Sequence, residues 1–119
     1  METSLLEIRT YRLKPGSRAA FHRLVVEQSI PLLARFGVDM VRFGPSEVDE
    51  DGAEEYVLMR SFESAAARAE QEARFYSSDE WVQGPREDVL ALIESYHTIV
   101  LTVPEAAVEG LRRDGAGRP

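Results

Sequence analysis

No cysteine occurs among the 119 residues, which excludes disulfide staples, thiolate nucleophiles and Cys-ligated zinc or iron-sulfur sites. Histidine is nearly as scarce. His22 and His97 are the only two, and with no H-x-H or H-E-x-x-H spacing they offer no metal site; neither a metal nor a cofactor is expected. No nucleophile-base pairing and no phosphate loop stand out. Long apolar runs are missing too: nothing approaches the roughly 20 residues that span a bilayer, and residues 1–8 lack a basic stretch followed by an apolar one. The expectation is a soluble, cytoplasmic chain with no membrane partner. Basic charge is in short supply, 14 Lys and Arg against 21 Asp and Glu for a net charge of -7. Nucleic acid, which needs a basic footprint to displace counterions, is therefore not an expected partner.

What is present suits one domain. A hydrophobic content of 44% over this length builds a core without staples. The charge is unevenly spread: residues 1–45 carry seven basic and four acidic side chains, residues 46–110 four and sixteen. Such asymmetry can orient a partner, although a solvated acidic surface is the simpler reading.

Residues 5–13 alternate, with Leu6 and Ile8 on one face and Glu7, Arg9 and Tyr11 on the other, the period of a strand. Pro15-Gly16 breaks it. Ser17 is placed to cap a helix from Arg18, in which Phe21, Leu24, Val25, Gln28, Leu32 and Phe36 form one stripe and Gly37 closes the end. Pro31 lacks the N–H that the Glu27 carbonyl would accept, so a kink is expected near Ser29-Ile30. Residues 38–48 and 54–62 read as a hairpin joined by Asp49-Glu50-Asp51-Gly52, with Gly44-Pro45 marking a bulge or an early end. Ser64 can cap a helix to Tyr76 whose stripe of Ala66, Ala69, Ala73 and Tyr76 implies close packing on the sheet. Ser77-Ser78-Asp79-Glu80 has the form of a capping box ahead of Trp81; Gly84-Pro85 then interrupts before Val89, Leu92 and Ile93. Residues 96–103 make the last strand and 105–112 a terminal helix. The domain is thus read as residues 1–112, with 113–119 a disordered tail.

The order is β-α-β-β-α-β, an α+β, ferredoxin-like arrangement: one antiparallel sheet with helices on one face. Val57, Leu58 and Met59 point to both sides of one strand, as do Ile99, Val100, Leu101 and Val103 of another. Strands apolar on both faces need cover on both. With only about three helices, the chain has nothing left to cover the second face; a second copy is the economical cover, so the partner expected is the protein itself, as a homodimer.

The opening run Glu7-Ile8-Arg9-Thr10-Tyr11-Arg12-Leu13-Lys14-Pro15-Gly16, the strand Tyr56-Val57-Leu58-Met59-Arg60-Ser61-Phe62 and the segment Phe75-Tyr76-Ser77-Ser78-Asp79-Glu80-Trp81 resemble the NIPSNAP family over nearly the whole chain. The resemblance implies a dimeric α-β barrel, in which two ferredoxin-like sheets face each other across the dimer axis. It implies no catalytic residue, because the family has no settled activity.

Candidate site residues follow from shared faces. Arg9 and Tyr11 share a strand face with Glu7; Arg60 shares one with Tyr56 and Phe62. Side by side, the two strands would give a polar and aromatic patch able to hold a small organic acid, since guanidinium forks match carboxylates. The alternative is an Arg9-Glu7 ion pair buried at the dimer interface. Tyr76 and Trp81, with Phe75, can lid an apolar pocket or plug the end of a core. His22 can serve as a base at a pocket rim or sit on the surface. His97 can line a pocket or bond at the sheet end. The acidic run from Glu47 to Glu55 lacks EF-hand spacing and reads as a solvated turn. Three functions stay open: a dimer of unknown function that binds a small apolar or acidic ligand between sheet and helices, a cofactor-free monooxygenase or related enzyme of the same barrel, and a protein-interaction adaptor.

Overall fold

A computed structural model describes residues 2–116, with side chains through residue 113. Its elements are β1 (Thr3–Leu13), α1 (Arg18–Leu24), α2 (Ile30–Arg35), β2 (Asp39–Pro45), β3 (Glu54–Phe62), α3 (Ala65–Tyr76), α4 (Asp79–Val82), α5 (Arg86–Ala91), β4 (Ile93–Pro104) and α6 (Glu105–Ala116). The sheet order is β2-β3-β1-β4 with every neighbouring pair antiparallel, the ferredoxin-like order that the β-α-β-β-α-β sequence requires. β4 begins at Ile93, which the periodicity assigned to the preceding helix; Lys14 N–H bonds the Leu92 carbonyl at 2.9 Å where the strand starts. The last helix extends beyond Arg112 to Ala116, and the rest of the expected tail lies outside the described residues.

Several local signals act through different atoms than the sequence suggested. Ser17 has helical backbone angles and its side chain makes no capping bond. The Glu54 carboxylate, arriving from β3, takes that role instead, accepting Arg18 N–H at 2.8 Å and Gly16 N–H at 3.0 Å. Ser78 rather than Ser77 caps α4, accepting Trp81 N–H at 3.2 Å, while Ser77 Oγ donates back to the Ala73 carbonyl. The Pro31 kink is a π-helical turn over Val25–Ser29, closed by an Ile30 N–H to Val25 carbonyl bond. With no N–H at position 31, the chain widens by one residue ahead of it and restarts as α2. That extra residue turns Ser29 inward and leaves Gln28 exposed.

Helices α1 to α5 press one face of the sheet into a core of Tyr11, Phe21, Val25, Tyr56, Leu58, Phe75, Trp81 and Val89, among others. Gly84 keeps the turn after Trp81 tight: a Cβ there would lie 2.2 Å from the Glu80 carbonyl oxygen. Gly84→Ala is therefore expected to lower stability by about 1–3 kcal/mol in urea denaturation, and an unchanged midpoint would show that this turn gives way freely.

The alanine stripe of α3 does not face the sheet. Ala66, Ala69 and Ala73 are exposed, and the inward side carries Arg68, Glu72, Phe75 and Tyr76. The opposite sheet face is partly covered within the chain, which corrects the expectation that nothing covers it: α6 seats Val108, fully buried, against Leu6 and Val41, with Ile8, Met59 and Val103 alongside. Beyond α6, Ile99 and Leu101 remain 50% and 43% exposed. No described helix is long and apolar enough to cross a membrane.

Candidate functional site

Strand register brings the site together. Glu7 stands opposite Arg60 and Tyr11 opposite Tyr56 across β1 and β3, while Arg9 stands opposite Thr98 and Tyr11 opposite Tyr96 across β1 and β4. Because side chains alternate, all of these lie on the helix-covered face. Buried charge in that position needs partners, and α3 brings them at four-residue spacing: Arg68, Glu72 and Tyr76.

The result is a network of three guanidiniums, two carboxylates and a phenol. Arg60, 1% exposed, donates to Glu7 Oε1 at 2.7 Å, to Tyr76 Oη at 2.8 Å and to Glu72 Oε2 at 3.1 Å. Arg68 donates to Glu7 Oε2 at 2.7 Å and lies 3.4 Å from Glu72 Oε1. Arg9 donates to Thr98 Oγ1 at 3.0 Å and to Tyr76 Oη at 3.2 Å, with its remaining Nη2 at 3.9 Å from both Glu7 and Glu72. The Arg9 guanidinium also lies over the Tyr96 ring at 5.2 Å.

The two carboxyl groups are driven apart. Burial opposes ionisation of Glu7, but the hydrogen bond with Glu72 and the charges of Arg60, Arg68 and Arg9 overcome it and hold the group at about 2. Glu72 is pushed up to about 7, first by burial and then by its bond to Glu7 and the Glu7 charge, against Arg60 and Arg68. Burial raises the Tyr11 phenol well above its usual range. Arg60 stays a cation: burial opposes it, and Tyr76 and Glu7 more than compensate.

This network forms one wall of an open cleft of about 470 Å³, a size suited to a small organic molecule. Arg9, Glu72 and Tyr76 give the polar side; Trp81, Val89 and Leu90 give the apolar one, with Tyr11 and Tyr96 at the strand floor and Arg86 on α5. Trp81 stands edge-on to Tyr76 at 5.5 Å. Behind Tyr11, Tyr76, Trp81 and Val89 lies a second, nearly apolar void of about 30 Å³ that Arg60 and Ser29 also border.

Of the residues singled out in the sequence, the structure brings Arg9, Tyr11, Tyr76 and Trp81 to the cleft and sets Arg60 directly behind them. It leaves the two histidines elsewhere. His22 is exposed on α1 with Nδ1 at 2.6 Å from the Tyr56 hydroxyl, and His97, paired with Thr10, is exposed on the opposite face of the sheet. The Glu7-Arg9 pair sits under the helices, not on the face a second copy would cover. Glu72, Arg68 and Arg86 were not singled out; the signal for the first two was the spacing Arg68, Glu72, Tyr76 on one side of a helix. Among the described residues no cluster of three or more His, Asp or Glu side chains is arranged to hold a metal ion.

An antiparallel sheet in this order, with helices and a polar cleft on one face, defines a ferredoxin-like α+β domain. The NIPSNAP family model matches residues 6–106, and the chain belongs to that family. Among solved structures it is similar to a NIPSNAP family protein with unknown function from Agrobacterium tumefaciens, at 28% identity and a TM-score of 0.75, covering 85% of this chain and 88% of that one. A NIPSNAP-like domain protein from Burkholderia xenovorans aligns at 17% identity and a TM-score of 0.76, with 87% and 86% covered. The fold extends to SnoaB, a cofactor-independent oxygenase from Streptomyces nogalater, at 14% identity and a TM-score of 0.58, with 84% and 92% covered. No curated protein matches the chain.

Proposed function

We propose that the protein is a homodimer whose cleft holds a small organic acid, its carboxylate on Arg9 and its apolar body against Trp81, Val89 and Leu90; a cytoplasmic setting is part of the same reading. The observation that carries it is the placement of a guanidinium at the border between a charged wall and an apolar one. Arg9 is held by Thr98, Tyr76 and the Tyr96 ring, so it meets a ligand already oriented, and Arg86 adds a second cation at the rim. The oxygenase reading rests on a shared fold, and a fold hosts many activities.

Isothermal titration with benzoate, an aromatic organic acid of suitable size, tests the site. Benzoate is expected to bind, and Arg9→Met, which keeps an apolar stem, is expected to weaken it by about tenfold to a hundredfold, the loss of a charge-assisted hydrogen bond. Equal binding to both proteins would remove Arg9 from the site, and no binding to the wild type would remove the acid.

A further inference from the structure

Glu72 is an unexpected wall for an anion site, because its carboxylate repels what Arg9 attracts. Its Oε1 and the enclosed Glu7 Oε2 lie equally far, 3.9 Å, from the same Arg9 Nη2. A ligand carboxylate on Arg9 becomes the third carboxylate among three guanidiniums, and carboxylates so crowded do not all remain ionised. Glu7 is fixed as an anion: it has no exposure and receives Arg60 and Arg68 at 2.7 Å each. Glu72 has a side chain 15% exposed and borders the cleft, so it is the carboxyl that exchanges a proton with solvent.

Building on the organic-acid reading, we propose that the cleft takes up its anion together with one proton, which Glu72 accepts.

The groups facing Glu72 are Glu7 and Arg9 from β1, Arg60 from β3, and Arg68 and Tyr76 from its own helix; Tyr11, Tyr96 and Arg86 complete the cleft. Arg9 and Arg60 are held as cations, Glu7 is held far below neutrality, and burial raises Tyr11 still further above its usual range. Neither histidine borders the cleft. Glu72, at the cleft border and pushed up to about 7, is thus set to change charge near neutral pH. Below about pH 7 it already carries the proton and affinity is level; above, each anion bound must bring a proton, so affinity falls as pH rises.

Titration of the full chain with benzoate between about pH 6 and about pH 8.5 tests the coupling. The wild-type Kd is expected to weaken toward about tenfold per pH unit on the alkaline side. Near pH 7.5, heats measured in imidazole and in Tris should differ by the difference between the two buffers' ionisation heats times the up to about one proton taken up per benzoate. Glu72→Gln, a neutral mimic of the protonated group, should bind with a pH-independent Kd close to the wild-type value at low pH. Buffer-independent heats with a level wild-type Kd would overturn the coupling while leaving the organic-acid site standing, and so would a slope that persists in Glu72→Gln. Absence of benzoate binding at every pH would overturn both.

Discussion

Replacing Arg60 with methionine is expected to cost about 3–5 kcal/mol of folding stability, measured by urea denaturation, because it leaves the Glu7 carboxylate in the core without its nearest counterion. That is a large share of the roughly 5–15 kcal/mol that holds a domain together. Arg60 is 1% exposed and Glu7 has no exposure; one guanidinium also supplies Tyr76 and Glu72 with hydrogen bonds, so three acceptors lose a donor at once. Lysine is no remedy. A single ammonium cannot reproduce the fork that reaches Glu7, Tyr76 and Glu72 together, and Arg60→Lys should recover only part of the lost stability. The charge on Glu7 is the source of the cost, so Glu7→Gln added to Arg60→Met should destabilise by clearly less than the sum of the two single changes. Additive effects in that cycle, or an Arg60→Met protein as stable as wild type, would mean that the network is dispensable to the fold.

The same network shows where the sequence was readable and where it was not. Alternation in β1 separated Leu6 and Ile8 from Glu7, Arg9 and Tyr11, and those faces are real. Strand identity and order were legible because apolar runs between Gly, Pro and Asp punctuation leave few ways to pair. The orientation of α3 was not. Reading its alanines as the packed side assumes that a sheet offers an apolar surface, whereas this sheet offers Glu7 and Arg60, and a helix above them must turn its own charged stripe inward. The alanines then face water at no cost, since alanine is the best helix former. Glu72 escaped notice for the same reason: a glutamate on an arginine-containing helix looks like a solvated ion pair until the strand beneath is known to carry charge. Caps were legible in kind but not in atom. A serine stood ahead of α1, yet the bond came from Glu54, thirty-six residues away from Arg18, which no local pattern encodes. Arg9, Tyr11, Tyr76 and Trp81 come from three separate elements; sequence placed each on a face, and only the register of β1 against β3 and β4 placed them around one cleft.

Ile99→Arg is expected to convert a dimer into a monomer, weakening self-association by at least about a hundredfold in sedimentation velocity, with wild-type protein dimeric at micromolar concentration. Helix α6 covers the end of the outer sheet face around Leu6, Val41 and Val103, which leaves the stretch of β4 that holds Ile99 and Leu101 half-exposed. Apolar side chains in a row on an edge strand are an invitation to another surface. A second copy brings the same row, and around a two-fold axis every substitution is present twice, so two guanidiniums would have to be buried without partners. The folded protomer should tolerate the change, because Ile99 is already 50% exposed within it. Benzoate binding provides the control. The cleft lies under the helices on the other side of the sheet, and an arginine at position 99 points away from it, so the monomeric variant should keep the wild-type benzoate affinity. A wild-type protein that sediments as a monomer would mean that α6 alone is cover enough, and an Ile99→Arg dimer would place the interface on another face.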